Sequence, residues 1–224
     1  MEIQKIYGEE YFKNRNNGSD PLREKAYKIE FNKVIKYKSK GKILDVGCGM
    51  GNFLDLFEDN TWEKYGIEVS DYGREIAQTK GIHFIDYDFE SAVFDLIIFR
   101  GVIQHLDTPL FVIQQCIRML KEDGYMIFLA TPNINSIYYR IFNEMPMLDS
   151  SCNFMLPSDI MMLQILKNLG LEVIELNYPY LESPYRKLVS DHLKFLLRFF
   201  GYKSKFAFWG NMMEIICRRK TVGS

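Results

Sequence analysis

The sequence is short of the features that mark secreted, metal-binding or membrane-spanning chains. It has four cysteines, Cys48, Cys116, Cys152 and Cys217, far apart and without a CxxC pair, and only three histidines. Neither a zinc site nor a disulfide framework is expected from that spacing, and reduced thiols in a cytoplasm are the simpler reading. No cluster of acids and histidines points to a metal-dependent mechanism. The opening stretch MEIQKIYGEEYF has no unbroken apolar core, so it does not read as a signal peptide. No apolar run approaches the roughly 18 residues of a membrane span. Charge is nearly balanced, 28 Lys and Arg against 29 Asp and Glu. No basic tract gives a nucleic-acid footprint. Repeats and low-complexity segments are missing too.

What is present is a substantial apolar fraction, 47% of 224 residues, enough for one well-buried domain. Residues 1–20 are polar and end in the turn-rich Asn16-Asn17-Gly18-Ser19-Asp20. Pro21 can open a helix to about Tyr37. The apolar run Ile43-Leu44-Asp45-Val46 fits a strand buried on both faces. A helix is expected over 52–58, a strand over 64–69, a helix over 71–80 and a strand over 83–86. A strand at 94–99, a helix at 110–120 stopped by Asp123-Gly124, and a strand at 125–130 follow. Residues 134–157 show no clear period. Ser158 and Asp159 then cap a helix to Leu169, followed by a strand at 171–176, a helix at about 187–200 and a last strand at 206–217 interrupted by Trp209-Gly210-Asn211. Strands alternating with helices predict a mostly parallel sheet with helices on both faces.

The most informative segment is KILDVGCGMGNFL, residues 42–54. Gly47, Gly49 and Gly51 sit between a buried strand and the next element, where glycine lets the backbone turn with positive φ and approach a ligand. A dinucleotide fingerprint needs GxGxxG. Here Asn52 stands where the third glycine would be, and Asp45 precedes the loop. A carboxylate there repels a pyrophosphate and suits an ammonium or sulfonium ligand. Glu68 closes the second expected strand about 20 residues beyond the first glycine, the spacing of a ribose-binding acid.

LDVGCGMG followed by YGIEVS resembles the first two motifs of the class I S-adenosylmethionine-dependent methyltransferases. FDLIIFRGVIQHLDTP and LKEDGYMIFLATPN are similar to that family's fourth- and fifth-strand segments, so the resemblance covers about residues 40–135. DPLREKAY and FWGNMMEIICRRK look like the flanks of a bacterial branch that acts on sugars, polysaccharide precursors or other small metabolites. The resemblance implies a Rossmann-like α/β fold with a seven-stranded, mostly parallel sheet flanked by helices and an antiparallel last strand. It implies one methyltransferase domain over 1–224, with a helical cap at 1–38, a cofactor core at 39–133 and a substrate-side segment at 134–224. The implied cofactor is S-adenosyl-L-methionine, leaving S-adenosyl-L-homocysteine. Asp45, Gly47, Cys48, Gly49 and Gly51 would surround its methionine part. Glu68 would hold the ribose, Val69 would lie beside the adenine, and Asp88 and Phe89 would meet the adenine edge and face. Because DYDFESAVFD is shorter than the family's usual link, Asp86 can stand in for Asp88. Arg100 and Gly101 would lie near the methionyl group, and Tyr11 and Arg23 would close over the cofactor, with Arg23 pairing its carboxylate.

Methyl transfer from a sulfonium mainly needs alignment and exclusion of water, and a hydroxyl acceptor can also need a base. His105 follows the fourth strand on the carboxyl-end side where ligands bind, and is the candidate base; a structural histidine in that loop is the alternative. Acceptor-binding candidates are Tyr138, Tyr139, Asn153 and Phe154 after the fifth strand, and Tyr180, Tyr185 and Arg186 after the sixth. Residues 179–205 intervene between strands that usually form a tight antiparallel pair. Their apolar helix, beside Arg186, Lys187, Lys194, Arg198 and Lys203, can pack on its own domain, act as a lid, form a dimer interface or lie on a membrane. The expected function is methyl transfer to oxygen or nitrogen of a small polar acceptor, first a sugar or polysaccharide precursor, in a monomer or homodimer that does not act on nucleic acid. Natural-product or quinone-like methylation and cofactor binding without turnover are the rival readings. A nicotinamide-type oxidoreductase is disfavoured by the misplaced glycine and Asp45.

Overall fold

A computed structural model describes residues 7–16, 20–145 and 153–219. The expected turn at 17–19 and Cys152 lie outside them. Seven strands form one sheet in the order β3-β2-β1-β4-β5-β7-β6. They are β1 (Gly41–Val46), β2 (Trp62–Ile67), β3 (His83–Phe84), β4 (Phe94–Arg100), β5 (Leu120–Pro132), β6 (Leu171–Asn177) and β7 (Met212–Arg219). Pairing is parallel from β3 through β5, and β7 runs antiparallel to both β5 and β6. The helices are α1 (Glu9–Asn16), α2 (Pro21–Val34), α3 (Asp71–Gln78), α4 (Pro109–Met119), α5 (Ile137–Phe142), α6 (Asp159–Asn168) and α7 (Leu188–Arg198). The architecture is the Rossmann-like one expected, with the antiparallel last strand.

Side-chain alternation explains why both sheet faces are covered. On β4, Ile97 and Phe99 join Leu44, Val46 and Phe128 in a cluster under α4 and α6. Leu96 and Ile98 point the other way, to Ile43, Phe53, Phe57 and Val34 of α2. All of these strand residues are fully buried. Helix starts follow their caps. The Asp20 carboxylate accepts from the amides of Leu22 and Arg23 at 3.1 and 3.3 Å, ahead of Pro21 at the first helical position. Ser70 and Ser158 cap α3 and α6 in the same way.

The elements depart from the sequence expectation in several places. The helix expected over 52–58 is a single 3-10 turn, Leu54–Leu56: Phe53, Leu54 and Phe57 are buried and Asp55 and Glu58 exposed, but the backbone turns extended at Phe57 and ends the element. Asp123-Gly124 does not stop α4, which ends at Met119, and both residues lie inside β5. Leu120, fully buried, already pairs with Phe94 there, and a register shift between Phe94 and Leu96 absorbs the irregularity. The last strand begins at Met212 rather than at 206. Phe206 and Phe208 instead pack with Tyr138 in a separate aromatic cluster, and Gly210 turns the chain at φ +70. The polar start holds α1, and α5 lies in the aperiodic stretch, its first turn capped by Ser136. The second strand stops at Ile67, so Glu68 and Val69 lie beyond it rather than in it, and the third is only two residues long.

Candidate functional site

A cleft of about 260 Å³ opens at the carboxyl ends of β1, β2 and β4. Ligands bind at this edge in open α/β sheets. Its floor is the glycine loop. Gly47 has φ +72, and a Cβ there would stand 2.5 Å from Val102 Cγ2. Gly49 has φ +56, and its Cβ would meet the Phe12 ring at 3.2 Å. Both positions therefore need glycine for conformation and for room. Gly51 does not line the cleft. It faces the opposite way, where a Cβ would strike Ile82.

Two carboxylates define the electrostatics. Glu68 bridges the loop, accepting from Gly49 N–H at 2.7 Å and from Ser70 N–H at 2.9 Å. Asp45, 2% exposed, lines the same wall, and its Oδ1 is buried without a hydrogen-bond partner. Burial pushes the Asp45 carboxyl up to about 8; Arg100 opposes the rise, while Glu68 and Glu30 add to it. Burial likewise drives the Cys48 thiol well up, so Cys48 acts as an apolar wall rather than a thiolate. An orphaned buried carboxyl beside a glycine cradle is chemically unfinished, and a cationic ligand would complete it.

Arg100 ends β4 and is nearly buried. Its Nε donates to Glu30 Oε2 of α2 at 2.5 Å, and its guanidinium lies 4.2 Å from the centre of the Tyr27 ring. It borders the cleft and also a second cavity of about 140 Å³. That cavity is enclosed by α2, Ala130, the 179–185 segment, and residues 207–214. Its polar wall holds Glu30, Lys33, Glu182, Glu214, Tyr180, Tyr185 and Asn211. Lys33 bridges Glu182 and Glu214 at 2.6 and 2.7 Å. Burial raises the Glu214 carboxyl despite that ammonium. Ala130, a non-glycine residue at φ +48, holds a left-handed bend at the same wall.

The expected residues divide between these spaces. Tyr11, Arg23, Asp45, Gly47, Cys48, Gly49, Glu68, Val69, Arg100, Gly101 and His105 all line the cleft. Asp86 and Asp88 are exposed, and Phe89 packs against the main core; the cleft wall there is Tyr87. His105 Nε2 lies 3.1 Å from Gln104 Nε2, in a 3-10 turn after β4. Tyr180 and Tyr185 reach the second cavity, whereas Tyr138 is buried in the aromatic cluster and Tyr139 lines neither space. Arg186 is exposed and donates to the Leu181 carbonyl at 2.6 Å. Asn153 and Phe154 also line neither space; the Phe154 amide donates to the Gln104 carbonyl at 2.9 Å. The sequence reading missed Tyr7, Phe12, Tyr27 and Tyr87 of the cleft, the Glu30 partner of Arg100, and Asn211, which it took for a strand interruption.

Residues 21–176, more than half of the chain, match a family model described as "Methyltransferase domain". The chain belongs to this family and is a class I S-adenosylmethionine-dependent methyltransferase. An uncharacterized protein of Methanocaldococcus jannaschii is 26% identical over 78% of this chain and 83% of its own length. A ubiquinone biosynthesis O-methyltransferase of Actinobacillus pleuropneumoniae is 31% identical over 42% of this methyltransferase, which spans about half of that relative (49%). The fold matches a crystal structure from Thermotoga maritima described as a possible histamine N-methyltransferase, with a TM-score of 0.66 at 18% identity over 97% of this chain and 99% of that one.

Two measurements probe the cleft. In the unfolded chain Asp45 titrates near its ordinary value of about 4. In the folded ligand-free chain it keeps its proton to about 8. Across that window the folded state holds the extra proton, so the Asp45 contribution to stability is full below the window and is lost as pH rises through it. Urea unfolding of wild type and Asp45→Asn should show this as a stability difference that moves against wild type with rising pH; parallel curves would exclude it. Titration calorimetry with S-adenosylhomocysteine should show Glu68→Ala weakening affinity by about tenfold or more, as loss of a charge-assisted pair predicts. Unchanged affinity would remove Glu68 from the ribose site.

Proposed function

We propose that this methyltransferase transfers the methyl group to an oxygen or nitrogen of a small polar acceptor seated in the second cavity, with a sugar or polysaccharide precursor as first choice. The observation that carries this reading is Asn211. Its side chain is 1% exposed and lines that cavity, and neither its amide nitrogen nor its carbonyl oxygen has a hydrogen-bond partner. A buried amide left so costs about 1–3 kcal/mol, and an acceptor with adjacent hydroxyl or amine groups would repay it. Glu30, Glu214 and Lys33 offer further acceptors and donors on the same wall, and Phe208 with Tyr180 offers apolar faces for a ring.

S-adenosylmethionine supplies a methyl group on a cationic sulfur, an excellent leaving group. The chain's residues would do the rest. Asp45 and Glu68 would bear the cation and the ribose, the glycine loop would admit the cofactor backbone, Tyr11 and Arg23 would close the cleft, and Tyr87 would replace Phe89 at the adenine side. Arg100, common to both spaces, would orient cofactor and acceptor toward one another. His105 lines the cleft and not the second cavity, so it would take the proton of an acceptor hydroxyl that reaches through into the cleft. A quinone-like or other natural-product acceptor is the second reading. It is favoured by the aromatic lining of the cavity and by the relatives named for ubiquinone biosynthesis. The possible histamine N-methyltransferase of like fold keeps nitrogen within the acceptor class.

Incubation with methyl-labelled cofactor and a panel of sugars, sugar nucleotides, phenols and amines tests the acceptor class; label found only on aromatic acceptors would overturn the sugar reading. With the acceptor in hand, Asn211→Leu should raise KM about tenfold or more, leave cofactor affinity unchanged and raise the melting temperature, because the orphaned amide is gone. A KM equal to wild type would sink the cavity assignment. His105→Ala should cost about 10²–10⁴ in kcat with a hydroxyl acceptor and abolish the acid limb of the pH profile. Full turnover at every pH would leave His105 a structural residue.

A further inference from the structure

Helix α7 packs on its domain by one side only. Asp191, 1% exposed, accepts from Tyr180 Oη at 3.1 Å and from the Lys187 amide at 2.7 Å. Phe195 stacks on Phe208 with ring centres 4.4 Å apart, and Arg198 pairs with Glu144. The opposite side carries Val189, Leu193, Leu196 and, one turn on, Phe200. The spacing i, i+4, i+7, i+11 places them in one stripe. Their exposures are 82%, 55%, 58% and 87%. Leu188, also exposed, flanks the stripe at its start, whereas Phe199 lies against the rings of Phe142 and Phe195. A soluble chain rarely leaves so continuous an apolar face open without a partner.

The charge around the stripe selects the partner. Between His192 and Met213 the sequence holds Lys194, Arg198, Lys203 and Lys205 and no Asp or Glu. Lys187 stands exposed at the start of the helix, and Lys203 and Lys205 stand exposed just after it. Arg198 is neutralised by Glu144, so the local excess is carried by the lysines, in a chain whose formal net charge is -1. A second copy of the same face would bring like charges together with no acidic side chain of the segment to offset them. An anionic lipid surface satisfies both features, since apolar side chains enter the acyl boundary while lysines reach the head groups.

We propose that the exposed face of α7, with Phe200 and the lysines beyond it, docks this methyltransferase reversibly on anionic membranes. The proposal is independent of the acceptor. No helix among the described residues is long and apolar enough to cross a membrane, so the attachment is peripheral.

Co-sedimentation of the full chain with vesicles decides it. The expected result is pelleting with phosphatidylglycerol–phosphatidylcholine vesicles, little with phosphatidylcholine alone, and release at high salt. Val189→Glu with Phe200→Glu should weaken vesicle affinity by more than about tenfold, while cofactor affinity and the melting curve, read in the same preparations, stay at wild-type values. Lys203→Glu with Lys205→Glu should weaken it as well. Three outcomes overturn the proposal: wild-type protein remaining in the supernatant with both vesicle types, equal binding to neutral vesicles that survives the lysine reversal, or a vesicle-free dimer that Phe200→Glu dissociates. The last would assign the face to a second copy of this chain.

Discussion

Arg100 is the interaction on which the site depends. It stands at the carboxyl end of β4, beside Phe99, and β4 is the most buried strand of the sheet. Its guanidinium is held by Glu30 of α2 and by the face of Tyr27. A buried ion pair gains little over a well-packed apolar pair, but losing one partner costs about 3–5 kcal/mol. The pair therefore fixes α2 over the sheet edge more by penalty than by attraction. Because α2 carries Lys33 three residues further along, the same docking sets the Lys33 bridge to Glu182 and Glu214. A single ion pair thus aligns the walls of both cavities, and its positive charge partly offsets the pressure that burial puts on Asp45.

The legible parts of this chain are those whose cause is local. Pro21 announces α2 because its fixed φ acts on the first helical position itself, while the Asp20 cap beside it read only as part of a turn. The glycine loop with Asp45 and the acid at Glu68 were readable because one turn and one strand separate them, and the Glu68 carboxylate indeed reaches the Gly49 amide. The mostly parallel character of the sheet followed from alternation of strands and helices, since parallel strands need crossovers; the order of the strands did not.

What escaped the sequence is governed by distance along the chain. Glu30 and Arg100 lie 70 residues apart, and nothing near either names the other. Phe53, Leu54 and Phe57 read as one helix face and are all buried, but the backbone turns extended at Phe57 and the element stops after one turn. Tyr138 looked like an acceptor contact because it follows β5, yet Phe206 and Phe208 enclose it. The same withdrawal of Phe206 and Phe208 from the sheet delays β7 to Met212 and leaves Asn211 at its entrance, facing the second cavity. A residue taken for a break in a strand is thereby the most polar unsatisfied point of the wall.

The segment between β6 and β7 works on two fronts through one buried carboxylate. Asp191 accepts from the amide at the start of α7 and from Tyr180, whose ring lines the second cavity. The first contact satisfies an otherwise orphaned helix donor, and the second clamps the cavity wall. The orientation of α7 is thus set from beneath by polar groups and by the Phe195–Phe208 stack. Its outer stripe plays no part in holding it. The side chains of that stripe add no packing to the domain and stay open to a partner outside it.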